Sequence, residues 1–125
     1  MEIPKGHQAV MPYLMLNSAS EFIEFVKKVF GGVQTFKRMR DEQRIMHAEV
    51  QVNGSTIMCC DSTEEWPAQT ANLFIYVENA DEAFHKAIAA GAEEVMELSD
   101  QDYGRTCGVK DPVGNTWWIT SVSRK

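Results

Sequence analysis

The chain has 125 residues, a formal net charge of −6 and a pI near 5.0. That balance leaves no basic surface for neutralising phosphates, which argues against nucleic-acid binding. The one basic run, Lys37, Arg38 and Arg40, reads as a solvated strand edge. With 44% hydrophobic and 24% charged residues, the composition is that of a globular protein able to bury a core, and no apolar run approaches the ~20 residues of a membrane span.

Residues 7–16 form a mostly apolar run that reads as a strand, with Asn17 and Ser18 as cap candidates for a helix. Across 18–32, Phe22, Ile23, Val26, Val29 and Phe30 fall at helical spacing, and Gly31-Gly32 ends the helix. Three strands are predicted next, at 33–40, 45–52 and 55–61, the last two joined by Asn53-Gly54, a hairpin signal. Residues 62–71 have no period and read as a linker, with Trp66 placed to act as a clamp or a lid. Then the pattern restarts with a strand at 72–78, a helix at 79–92 ending at Gly91, and strands at 93–98, 105–110 and 116–122.

The punctuation repeats as well. Gly31 and Gly91, Gly54 and Gly114, and Thr56 and Thr116 are each 60 positions apart. A βαβββ unit occurring twice is the signature of an internal duplication. The predicted fold class is α+β, one domain over 1–125, with module one at 7–61, a linker at 62–71 and module two at 72–122. The three cysteines, Cys59, Cys60 and Cys107, are odd in number and lack framework spacing, and the N-terminus lacks a leader pattern. Both features point to reduced thiols and a cytoplasmic protein.

One βαβββ unit cannot bury both faces of its sheet, so a cleft for a small ligand is expected where two such sheets meet. Strand alternation sorts the side chains. Leu73, Ile75 and Val77 are assigned beneath the second helix, with Asn72, Phe74 and Tyr76 toward the cleft. The 60-residue offset carries this to the first strand, putting Tyr13 and Met15 under the helix and Pro12, Leu14 and Leu16 toward the cleft. Alternation puts His47, Glu49 and Gln51 on the cleft side, and the offset adds Arg105, Cys107 and Val109. On the fourth strands Ile57, Cys59, Trp117 and Ile119 face the helices, while Met58, Cys60 and Trp118 face the cleft.

These residues resemble a known family. The doubled unit, with PYLMLNSASEFIEFVKKVFGG opening it, IMHAEV and NGSTIMCCD in its middle, and YGRTCGVKDPVGNTWWI closing it, is similar to the vicinal oxygen chelate superfamily of glyoxalases, bleomycin-resistance proteins and dioxygenases, and most to its PhnB-like branch. The resemblance implies two βαβββ modules whose curved mixed sheets form a cup, completed by homodimerisation. It also implies four metal positions, which fall here on Pro12, Met58, Asn72 and Trp118. Proline and tryptophan offer no suitable lone pair, a thioether is too soft for hard ions, and asparagine is a weak donor. No metal or other cofactor is therefore expected.

Two functions remain open. The first is an aromatic cup for a small organic ligand, planar or cationic, bound by Trp118, Met58, Asn72, Phe74, Tyr76 and Leu14. The same aromatics could instead fill a closed cup or a dimer interface. The second is a lyase, isomerase or other enzyme using His47 and Glu49 as base and partner, Arg105 as an anion holder and Cys107 as a thiolate. A displaced metal site of His47, Glu49, Cys107 and Asp61 is its variant. Each has a plainer reading: a satisfied polar histidine, an Arg105–Glu49 ion pair, a small semi-buried cysteine. His7, near the terminus, and His85, on a helix surface, are assigned no role.

Overall fold

The computed structural model describes residues 1–122. Its element order is β1 (Tyr13–Leu16), α1 (Ala19–Phe30), β2 (Val33–Met39), β3 (Ile45–Val52), β4 (Ser55–Asp61), β5 (Asn72–Tyr76), α2 (Ala80–Ala89), β6 (Glu93–Gln101), β7 (Gly104–Lys110) and β8 (Thr116–Ser121). The duplicated βαβββ order is as the sequence predicts. Among the described residues no helix is long and apolar enough to cross a membrane.

Local chemistry sets the elements. The Ser18 side chain accepts from Glu21 N to start α1, and Gly31 closes it in the left-handed conformation, donating its N–H to Lys27 O. Asn79 starts α2 in the same way, through Glu82 N. Asn53 and Gly54 both adopt positive φ, as a two-residue hairpin turn requires.

Each module forms its own four-stranded mixed sheet, in the orders β1-β4-β3-β2 and β5-β8-β7-β6. The first strand runs parallel to the fourth and the other pairs are antiparallel. Among the described residues no strand of one sheet pairs with the other, and neither sheet closes into a barrel. One cluster of buried side chains runs through both modules: Phe22, Phe25, Val26 and Val29 of α1, Ala83 and Ala87 of α2, and Trp117 and Ile119 of β8. Trp117 packs against Phe30 at 4.9 Å and Phe22 at 6.2 Å between ring centroids, so a residue of the second sheet docks on the first helix.

The face assignments need two corrections, both from the repeat offset. Leu14 pairs with Cys59 in β1–β4, and Ile75 pairs with Ile119 in β5–β8. The fourth strands are thus 60 apart, but the first strands are 61 apart. Strand side chains alternate with period two, so one extra position inverts the face. Leu14 and Leu16 are buried beneath α1, while Tyr13 is exposed on the face turned away from the helices. Likewise Ala48 pairs with Cys59 and Cys107 with Ile119, which makes the third strands 59 apart. Cys107 and Val109 therefore lie in the core, and Arg105 faces α2.

β1 is also shorter than predicted. Residues before Pro12, which has no N–H to continue a ladder, form an N-terminal arm rather than strand. The predicted linker is anchored as well, with Gln69 N donating to Met15 O.

Candidate functional site

Two faces point away from the helices, one on each sheet. On the second, β8 carries Trp118 between Phe74 of β5 and Gly108 of β7, each directly opposite it in register. The indole lies flat on the glycine: a Cβ at position 108 would stand 2.6 Å from Trp118 Cζ3 and 2.9 Å from its Cε3. Trp118 Nε1 donates to Asn72 Oδ1 at 3.1 Å. The ring is therefore held at its edge and across one face while remaining only half-buried.

Phe74 stands 5.2 Å from Tyr76 and 6.4 Å from Tyr103 by ring centroid, and all three are exposed. Beneath them, Thr106 and Thr120 satisfy each other at 2.8 Å. Phe74 and Tyr76 also line a cleft of about 330 Å³ where the modules meet, together with Pro12, Val52, Ile57 and Trp117.

The turn before β8 aims these rings. Asp111 is buried, and its Oδ1 accepts from Val113 N and Asn115 N. Its Oδ2 accepts from Asn115 Nδ2 and from Trp117 Nε1 at 2.8 Å. Trp117 is thereby fixed in the core, and strand alternation delivers its neighbour Trp118 to the opposite face.

On the first sheet the open face is polar. Glu49 sits between two imidazoles, with His7 Nε2 at 2.6 Å from Oε1 and His47 Nε2 at 2.9 Å from Oε2. His47 Nδ1 lies 3.1 Å from the Tyr13 hydroxyl, and Phe36 stands 5.8 Å from the His47 ring. Burial opposes charge on Glu49, but the hydrogen bonds from His7 and His47 outweigh it and bring its carboxyl below the usual value. His7, given no role from sequence, is thus part of the cluster. It arrives with an arm that Gln8 fastens to both the N–H and the C=O of Thr56, and Gly6 O accepts from Thr56 Oγ1.

The structure does not bring His47 and Glu49 together with Arg105 and Cys107. Arg105 pairs with Asp81 at 2.9 Å and Asp100 at 3.5 Å in the other module, not with Glu49. Burial raises the Cys107 thiol to about 11 and the Cys59 thiol to about 12, which disfavours the thiolate. Asp61 is committed to Ala19 N and Ile45 N, where it ties α1 and β3 to β4. The displaced metal set therefore does not assemble, and no other cluster of His, Cys, Asp or Glu suited to a metal ion occurs among the described residues.

Most of the chain is similar to known proteins. Residues 7–119 match the model of the Glyoxalase/Bleomycin resistance protein/Dioxygenase superfamily. The chain belongs to this superfamily. A curated relative, uncharacterized protein Rv0887c of Mycobacterium tuberculosis, is 28% identical over 129 residues, covering 94% of this chain and 76% of its own. Among solved structures, TioX from Micromonospora sp. ML1 is 22% identical with a TM-score of 0.73, covering 94% of this chain and 98% of that one. The PhnB protein from Bacillus cereus is 23% identical, with a TM-score of 0.71 over 92% of this chain and 100% of that one. TnmS3 from Streptomyces sp. CB03234, described as an antibiotic binding protein, is 15% identical with a TM-score of 0.71, covering 94% and 100%. These structural likenesses establish the glyoxalase-type fold.

The superfamily resemblance implies a divalent ion, and the donor set here does not fit one. The register makes Met11, rather than Pro12, the counterpart of Asn72 in the first module. Met11, Met58, Asn72 and Trp118 then offer two thioethers, an indole N–H and one amide oxygen, and that oxygen already accepts from the indole.

Proposed function

We propose that this glyoxalase-type protein binds a small, planar organic molecule on the open face of its second sheet. The observation that carries the reading is the platform of Trp118 laid flat on Gly108 and tied to Asn72. A half-exposed indole held in one orientation has already lost most of its side-chain freedom, which lowers the cost of stacking a second ring on it. Phe74, Tyr76 and Tyr103 extend the aromatic surface, and the adjoining cleft of about 330 Å³ is of ligand size. Met58 lies half-buried on the open face of the first sheet, opposite Tyr13 and Glu49, and Leu14 is buried under α1, so neither belongs to this platform.

The antibiotic-binding description of TnmS3 agrees with this reading, although the likeness itself extends to fold. We take residues 1–125 as one domain, supported by the shared core. We take the assembly as a homodimer, in which a second copy completes the cup, supported by apolar side chains left exposed on the edge strands, Val33 and Met39 of β2 and Val95 of β6. Light scattering should then give twice the 14.1 kDa chain mass. The buried free thiols fit a reducing, cytoplasmic setting.

The test is tryptophan quenching by a panel of fused-ring aromatic compounds, made in a Trp66→Phe background so that the exposed linker indole is silent. Saturable quenching that Trp118→Ala abolishes is expected. Equal quenching in both proteins excludes the platform.

A further inference from the structure

The first sheet carries a second, chemically different arrangement. Glu49 is an acceptor-only carboxylate, so the His47 Nε2 facing it at 2.9 Å carries the proton. In the neutral ring Nδ1 is then an acceptor, and the Tyr13 hydroxyl at 3.1 Å donates to it. The chain of bonds runs hydroxyl to imidazole to carboxylate. That is the order of groups in a hydroxyl nucleophile with its base and the carboxylate that orients the base. His7 holds the other oxygen of Glu49 at 2.6 Å and so fixes the far end. Tyr13 is 46% exposed, so the phenol at the near end is open to a reactant.

We propose that Tyr13 is a nucleophile activated by His47, reactive toward activated acyl or sulfonyl compounds that carry an aromatic group. His47 is the base and Glu49 the residue that positions it. Phe36, 5.8 Å from the His47 ring, supplies an apolar surface for the aromatic group. The charged and titratable groups around the chain are His7 from the arm, Glu49 on β3, Cys59 and Cys60 on β4, and Arg38 and Arg40 from β2 and the turn after it. Burial and the neighbouring cysteines raise the Tyr13 phenol despite Arg40, so the free phenolate is scarce and the proton must leave as the new bond forms.

Phenylmethanesulfonyl fluoride is the probe. The Tyr13 oxygen attacks sulfur, the O–S bond forms, and the S–F bond breaks with fluoride taking the electron pair. The phenolic proton passes to His47 Nδ1, and Glu49 holds the resulting imidazolium.

Labelling is read by peptide mass spectrometry on the whole protein. Tyr76 and Tyr103, 60% and 51% exposed, serve as internal controls. Tyr13 should label at least tenfold faster than either, and His47→Gln should remove that advantage. Glu49→Gln should reduce it while leaving Tyr76 and Tyr103 unchanged. In the wild-type protein the advantage should already be present at pH 7, where an unassisted phenol is un-ionised, and Glu49→Asp, which keeps the carboxylate, should retain part of it. Equal labelling of the three tyrosines, or a label on His47 itself, overturns the proposal. The wild-type measurements decide it even if a variant does not fold.

Discussion

Gly108 lies directly opposite Trp118 across the β7–β8 ladder, and the indole ring occupies the space that any side chain at 108 would need. The φ of Gly108 is not in the left-handed region, so its backbone suits any residue. What requires glycine there is the neighbouring ring. Gly108→Ala should cost about 1–3 kcal/mol through overpacking and weaken aromatic ligand binding at least tenfold by lifting the indole. In a Trp118→Ala background the same change should cost little. A double-mutant cycle in urea measures this coupling, and additive effects would show that the ring does not rest on the glycine.

Asp111 should prove more important to stability than any exposed charge. Asp111→Ala removes four hydrogen bonds and leaves the Trp117 N–H and the Asn115 amide buried without this partner. A loss of about 3 kcal/mol is expected, seen as a lower urea midpoint. A loss below about 1 kcal/mol would mean that water replaces the carboxylate.

The carboxyl of Glu49 is lowered from 4.5 in the folded protein. A group with a depressed folded value stabilises above its unfolded value, and that contribution fades as pH falls through the folded one. The stability advantage of wild type over Glu49→Gln should therefore be full near pH 7 and shrink below about pH 4.5. Paired thermal melts from neutral to acidic pH check the sign. An advantage that grows on acidification would reverse it.

The thiols should be inert while the chain is folded. Cys59, Cys60 and Cys107 are all buried, and burial raises Cys59 to about 12 and Cys107 to about 11. At pH 8, Ellman's reagent should react at least a hundredfold more slowly with native protein than with protein in urea. Fast native reaction of Cys107 would restore it as a candidate nucleophile.

The element order, both helix starts and the Asn53-Gly54 hairpin were legible because each rests on local chemistry within a few residues. Trp118 was legible because it succeeds a core tryptophan in a strand. The faces of β1 and β7 were not, since the offset between modules drifts from 61 at Leu14 and Ile75 to 59 at Ala48 and Cys107. The drift arises where turns differ in length. Residues 53–54 join β3 to β4, but 111–115 join β7 to β8. Any odd shift exchanges core for open face, which carried Leu14, Arg105 and Cys107 to the wrong side and hid Tyr13. His7 was missed for another reason. Its contact with Glu49 spans 42 positions and depends on where an aperiodic arm lies. The one cue was that His7 and Gln8, side chains able to hydrogen-bond, precede an otherwise apolar run.

The ligand platform stands or falls with the indole of Trp118. A two-dimensional NMR titration that follows the three tryptophan indole N–H signals during addition of a fused-ring aromatic compound decides it. A saturable shift of the Trp118 signal is expected, with those of core Trp117 and linker Trp66 nearly still. Saturable binding that leaves the Trp118 signal unmoved would contradict the platform.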